Sequence, residues 1–430
     1  MQIDKYLSQF QITTEKPTLE GMYWMMEKFG NPHLECKMIH IAGTNGKGSV
    51  VEMLNRILID QGYQVGKYIS PALIRFNERI CVNDEEILDR EIEEILEKMK
   101  PLIEQYNQTH EIPFKHFEVV TCVAFIYFAQ KKCDFVVLET GMGGTWDCTN
   151  IVKPVISIIT SIGYDHMDLL GNTLSKIAEN KAGIIKQNAE VIFLELEDEK
   201  KNEDVLIVIQ EKAKKEDSHL FIIKRDEVLN YSYDLEYQFF DYENYHKMAI
   251  NLKGKIQVYN AAIVLKAIGI LKEKGYQIQE EIIRNGMKKV HHPARFEVLR
   301  KNPIVIYDGA HNEPAIQNFR KNLEQYYPKE KKVYIVSILK TKDYETVLRY
   351  LLQDEESIIY LTDGNEKDNY VSKDVLYEIC LKYAKGNKIE KRRLEDAIQT
   401  ASKDYKDRVI CIIGSFYIYG DVIHFINQLL

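Results

Sequence analysis

Residues 38–62 read MIHIAGTNGKGSVVEMLNRILIDQG. The first part, MIHIAG, is a short apolar run of the kind that forms a buried strand, and KGSVVEMLNRILIDQG spaces its apolar residues as an amphipathic helix does. Between them lies Gly43-Thr44-Asn45-Gly46-Lys47-Gly48-Ser49, a glycine-rich turn at the opening of a helix. Backbone amides of such a turn, together with the helix N-terminus, cradle phosphate groups; Lys47 can neutralise them and the Ser49 hydroxyl can ligate Mg²⁺. Gly48 separates Lys47 from the hydroxyl residue, which makes this a variant of the common phosphate loop. A plain glycine-rich turn is the competing reading, and the strand before it and the helix after it weigh against that.

The same beat of short apolar runs and amphipathic stretches continues outward. DFVVLET at 134–140, PVISIITSI at 154–162 and EVIFLEL at 190–196 are buried-strand candidates, rich in β-branched residues and bounded by turn formers. They imply an α/β fold with a mostly parallel sheet. The charged and then aromatic stretch 197–255 reads as a peripheral region. A second α/β beat begins after Pro293 with PIVIYDGA, VYIVSILK, SIIYLTDG and RVICIIGS. The domain boundary falls around HHPARFE, giving domains at 1–294 and 295–430. No internal repeat or low-complexity tract interrupts them.

Composition agrees with two domains, since 430 residues exceed what a single hydrophobic core usually supports. With 45% hydrophobic and 28% charged residues there is ample material for packed cores. The formal charge of −8 argues against a broad nucleic-acid surface, which needs clustered Lys and Arg. Seven Cys, spread without CxxC spacing, fit reduced thiols in a cytosolic compartment rather than a disulfide framework or zinc site. The opening MQIDKYLSQF lacks a signal pattern, and no apolar run approaches the roughly 20 residues of a membrane span. The expectation is a soluble cytoplasmic protein with no membrane partner, and a monomer.

Two further constellations follow strands. Glu139-Thr140-Gly141-Met142-Gly143-Gly144, with Asp147, Thr149 and Asn150, comes after DFVVLE, so Glu139 stands at the strand edge where α/β sheets bind ligands. Mg²⁺ takes such hard oxygen donors, which makes Glu139 a metal-ligand candidate, although a lone acid at a strand end is more often a solvated charge. Ser161-Ile162-Gly163-Tyr164-Asp165-His166 also closes a strand and precedes a helix bearing Glu179-Asn180-Lys181-Ala182-Gly183. His166 can complete a metal site or be structural; Lys181 by itself reads as a solvated helix lysine.

AGTNGKGS (42–49), SPALIRFNERI (70–80), HFEVVTCVAF (116–125), LETGMGGTWDCTN (138–150), SIGYDHMDLLG (161–171), ENKAGIIK (179–186) and YDGAHNEPA (307–315) together resemble, in order, the blocks of the folylpolyglutamate synthases and dihydrofolate synthases of the Mur ligase superfamily. The resemblance spans nearly the whole chain. It implies a P-loop-type N-terminal ATPase domain and a smaller Rossmann-like C-terminal domain. It further implies that Lys47 contacts the ATP phosphates, that Ser49 and Glu139 hold one Mg²⁺ and that His166 helps hold a second. Lys181 falls on the lysine carbamylated in the superfamily. Asn260 resembles the asparagine that reads adenine, Arg295 the arginine of the linker block, and Asp308 the acid that supports nucleotide binding at the domain interface. His311 lies where the incoming amino acid is met, and Ser70, Pro71, Phe117 and Glu118 fall in substrate-binding blocks. For Asp308 and His311 a strand-end turn with a capped helix is the plainer alternative.

The implied reaction is transfer of the ATP γ-phosphoryl group to a folate or dihydropteroate carboxylate, then attack by the L-glutamate amine on the acyl phosphate. Departures from the family pattern occur at Ala72, where SPHL is usual, at Thr145 and Trp146 within GGRLDATN, and at Ala294 within PGR. They leave substrate identity more open than reaction class. A paralogue acting on a non-folate carboxylate, an NTP hydrolase using the same loop, and a nucleotide-binding module without activity are the other readings.

Overall fold

The computed structural model describes residues 3–10, 18–364 and 369–428. They form two compact units, one of residues up to 233 with 239–251 and 257–290, the other of 234–238, 252–256 and 291 onward. Two short segments of the stretch before residue 290 therefore pack with the second unit. Gln238 binds them together, its Nε2 donating to the carbonyls of Leu252 at 2.6 Å and Gly254 at 3.0 Å.

The first unit is built on strands β1 (Lys37–Ala42), β2 (Val65–Tyr68), β3 (Ile80–Val82), β4 (Glu85–Glu86), β5 (Phe135–Glu139), β6 (Pro154–Ile159), β7 (Glu190–Leu194) and β8 (His219–Ile223). Their order in the sheet is β4-β3-β2-β5-β1-β6-β7-β8. All neighbours from β2 to β8 run parallel; β3 and β4 turn back as antiparallel edge strands. The stretch expected to be peripheral divides: His219–Ile223 extends the main sheet as β8, while β9 (Leu229–Tyr233), β10 (Gln238–Tyr242) and β11 (Tyr245–Ile250) make a separate three-stranded sheet.

Sheet order places the site. The chain leaves β1 for β2, skipping the position later filled by β5, and then enters β6 on the other side of β1. The carboxyl ends of β5, β1 and β6 thus open around a reversal of winding, where doubly wound sheets bind ligands. Two helices cover the sheet face that carries Met38, Leu138, Ile159 and Phe193. His116–Gln130 is apolar almost all round and lies in a core with Met22, Met25, Ile95 and Met99; Leu174–Ala182 packs in another with Ile159, Val191 and Phe193.

In the second unit β12 (Glu297–Lys301) pairs antiparallel with β13 (Ile304–Asp308), and β14 (Lys332–Val336), β15 (Ile358–Leu361), β16 (Lys388–Lys391) and β17 (Val409–Ile413) continue in parallel. Their order is β12-β13-β17-β14-β15-β16. It has its own core around Phe319, Leu323, Tyr334, Leu348 and Ile413. Among the described residues no helix is long and apolar enough to cross a membrane.

Candidate active site

The turn after β1 is clamped from the side by the turn after β6. Thr44 N–H donates to Ser161 O at 2.9 Å, Thr44 Oγ1 to Gly163 O at 3.0 Å, and Asn45 N–H to Ser161 Oγ at 2.9 Å. The Thr160 hydroxyl returns a bond to Asn45 O at 2.7 Å. Gly46 has φ +91°, and a Cβ there would stand 2.8 Å from Asn260 Oδ1, so only glycine lets the loop turn left-handed against that amide. Asn260 is itself oriented, its Nδ2 donating to Gln257 Oε1 at 2.9 Å.

Lys47 opens the helix Lys47–Gln61 and folds back over the loop. Its ammonium donates to Gly43 O at 3.1 Å and lies 3.8 Å from Glu139 Oε1. Glu139 ends β5, and its other oxygen accepts Ser70 N–H at 3.2 Å. Ser70, ahead of the cis bond to Pro71, is thereby brought to the metal-ligand candidate. Phe117 packs where Gly141 has no Cβ, which would otherwise stand 2.5 Å from its ring. Glu118 is buried and accepts Lys115 N–H at 2.8 Å, closing the N-terminus of its own helix; loss of hydration pushes its carboxyl up to about 7.

Lys181 is not a solvated helix lysine. It is 3% exposed, and burial first, then the positive charge of Lys47, bring its amine down to about 7 against the opposing pull of Asp165 and Asp147. The turn after β5 presses on its helix: Cβ atoms on Gly143 and Gly144 would stand 2.2 Å from Asn180 Oδ1 and 2.7 Å from Lys181 O. His166, by contrast, is exposed; it precedes the short helix Met167–Leu170 with φ 48° and lies 3.7 Å from Asp165 Oδ1.

The donor set suits Mg²⁺. Ser49 is buried in the first turn of the helix and Glu139 offers a carboxylate, both hard oxygens. Among the described residues no three His, Cys, Asp or Glu side chains form a closed metal cage.

In the second unit the left-handed residues Ala294 (φ 58°) and Phe296 (φ 44°) flank Arg295, whose guanidinium lies 4.5 Å over the Phe416 ring. Asp308 ends β13 and accepts the amides of Phe296 and Ala310, each at 2.8 Å. Burial pushes its carboxyl up to about 6 although Arg295 pulls it down. His311 stands edge-on to Phe416, its Nδ1 2.8 Å from Gly309 O. A carbonyl only accepts, so Nδ1 carries the proton and neutral His311 has its lone pair on Nε2.

Three features escaped the sequence reading: the hydroxyl clamp of Thr160 and Ser161, the burial of Asn180 beside Gly143, and His40, buried within β1. A polar residue inside the otherwise apolar run MIHIA was the available signal for the last.

The family model of the Mur ligase middle domain matches residues 41–268, and that of the dihydrofolate synthetase C-terminal domain matches 294–425. The chain is 33% identical over 421 residues to the dihydrofolate synthase/folylpolyglutamate synthase of Bacillus subtilis, covering 95% of this chain and 94% of the relative. It is 31% identical over 408 residues to the folylpolyglutamate synthase of Lacticaseibacillus casei, covering 93% and 92%. Among solved structures it resembles the folylpolyglutamate synthase of Thermotoga maritima, with a TM-score of 0.84 and 32% identity over 100% of this chain and 96% of that one. It also resembles E. coli FolC in complex with DHPP and ADP, with a TM-score of 0.85 and 26% identity over 99% and 97%.

Proposed function

The chain belongs to the dihydrofolate synthase/folylpolyglutamate synthase family, and from that premise we propose how its own residues carry the reaction. It is an ATP-dependent ligase that adds L-glutamate to a folate, to dihydropteroate or to both. The observation that carries the residue assignment is the pairing of Lys47 with Glu139 at 3.8 Å over the strand ends, with Lys181 buried within reach of the Lys47 charge.

The amides of Gly43–Ser49 and the Lys47 ammonium hold the ATP phosphates, and Asn260 meets the adenine. Ser49 and Glu139 would hold one Mg²⁺ and His166 a second, and ions bound there would offset charge on the phosphates. The substrate carboxylate, positioned by Ser70, Pro71, Phe117 and Glu118, attacks the γ-phosphorus and becomes an acyl phosphate. The glutamate amine attacks the acyl carbon, loses a proton and expels phosphate. His311 is assigned to the incoming amino acid, and Arg295 with Asp308 to support of the nucleotide. Lys181, with an amine near 7, is neutral often enough to add to CO₂, losing one proton and becoming a carbamate whose oxygens join the site. Seven free, buried thiols fit an enzyme of a reducing cytoplasm; a monomer and domains at 1–294 and 295–430 complete the proposal.

The test is ADP release and product formation by the purified protein with ATP, L-glutamate and a panel of dihydropteroate, reduced folates and unrelated carboxylates. Coupled turnover with pterin-bearing acceptors is expected. ADP release without an acceptor points to a hydrolase, and turnover only with unrelated carboxylates to a paralogue of different specificity. Lys47→Ala and Glu139→Ala each lose on the order of 10²-fold or more in kcat, with little change in Tm, because they remove phosphate and metal contacts rather than packing. Wild-type rates in either variant dispose of the assigned ATP site.

A further inference from the structure

His40 is fully buried, a polar side chain within an apolar strand. Its Nε2 lies 2.8 Å from the Thr149 hydroxyl, which lies 2.5 Å from Asp147 Oδ1. Both Asp147 oxygens act as acceptors, Oδ1 for Thr149 N–H at 3.0 Å and Oδ2 for Met142 N–H at 2.8 Å. The Thr149 proton is therefore directed to Asp147, and the hydroxyl oxygen accepts from His40 Nε2–H. The ring must be neutral with its lone pair on Nδ1: that atom is buried without a hydrogen-bond partner, so an N–H there would be left unsatisfied. Burial, helped by Lys186, brings the His40 pKa down to about 3, in agreement. In the opposite tautomer Thr149 would turn its proton to the ring and withdraw it from Asp147.

Asp147 closes the turn that begins at Gly141, and the same turn grips the helix of Lys181. Thr145 N–H and its hydroxyl both donate to Asn180 O, at 2.8 and 2.9 Å, and Asn150 Nδ2 donates to Gly183 O at 3.1 Å. Thr145 is one of the departures from the family pattern, so in this chain a hydroxyl does part of that gripping.

We infer that His40 is a positioning residue for ligation: its Nε2–H, relayed through Thr149 to Asp147, holds the Gly141–Asn150 turn in the shape that fixes the helix of Lys181. The inference rests on the role proposed above for Lys181. Substitutions separate the relay from mere filling of space. In His40→Gln the side-chain amide nitrogen takes the place of Nε2, in His40→Asn it takes the place of Nδ1, and His40→Leu has no donor.

All three are assayed at a temperature where circular dichroism shows each folded, alongside Lys181→Ala. His40→Leu and His40→Asn are expected to lose about 10-fold or more in kcat, the size of one lost buried hydrogen bond. ADP affinity by calorimetry and KM for ATP stay unchanged, and His40→Gln recovers most of the rate. Unchanged kcat in folded His40→Leu, or His40→Gln no better than His40→Asn, overturns the relay. Should the histidine variants not fold, Thr149→Val and Thr149→Ser decide: only the valine variant loses kcat if the hydroxyl relays, and equal rates overturn it. An inactive Lys181→Ala beside a fully active His40→Leu refutes the relay alone; an active Lys181→Ala removes the premise and the inference with it.

Discussion

Lys181 shows how far one residue's chemistry depends on its surroundings. An ordinary lysine amine titrates near 10.4 and is fully protonated at neutral pH, whereas this one is brought to about 7 by burial and Lys47. Because the folded value is the lower, the unfolded chain binds a proton that the folded chain lacks between about 7 and 10.4, and stability rises with pH through that window. Below it both states are protonated and the full penalty of a buried ammonium is felt. Lys181→Met is therefore expected to raise Tm in CO₂-depleted buffer at pH 6.5, with the gain shrinking towards pH 9.5, while activity is nearly lost. A difference in Tm that does not change with pH, or a destabilised variant, contradicts the assigned environment. The role proposed for Lys181 comes only from the resemblance of ENKAGIIK to a family block. Its burial was not legible at all, since one turn of amphipathic helix does not say what packs on it.

At the scale of elements, the strands that were read correctly are those buried on both faces: DFVVLE, PVISII, VYIV and VICII announce themselves as unbroken apolar runs. EVLRK at β12 and KIEK at β16 escape such a reading because they lie at the sheet margins, where one side is open to water and charged residues are tolerated, and VGKY at β2 because its buried run is short and broken by Gly66 and Lys67. Next to β12 lies Ala294, buried with φ 58° where the family pattern has glycine. Its amide donates to Glu297 Oε2 at 2.8 Å and its carbonyl accepts Gly309 N–H, so the strained conformation is held from both sides. An L-residue in this region costs on the order of 1 kcal/mol, more than glycine loses through extra freedom when unfolded. Ala294→Gly should raise the melting temperature by a degree or two and leave kcat unaltered; a lower Tm by calorimetry would show that the methyl's packing outweighs the strain.

Across the whole molecule the seven cysteines behave alike. All are free and buried, and each thiol that burial shields is pushed above its usual pKa, Cys36 to about 11 and Cys81, Cys133 and Cys380 to about 12. Thiolate is the reactive form, so the native protein should react with a disulfide reagent such as Ellman's far more slowly than the denatured chain, which should titrate all seven; Tm should not respond to added dithiothreitol. Rapid native labelling would contradict the burial. The sequence alone determined the α/β class, the glycine-rich turn between a strand and a helix, and the family with its reaction, because a strand, a glycine turn and a helix start are written in neighbouring residues, and ordered blocks identify a family. Tertiary structure alone decided that Ser70 meets Glu139, that Asn260 abuts Gly46, that Lys181 is buried near a second cation, and that His40 bonds a threonine more than a hundred residues away. Those contacts depend on sheet order and on which polar groups lose water together, and neither is encoded in the spacing of residues along the chain.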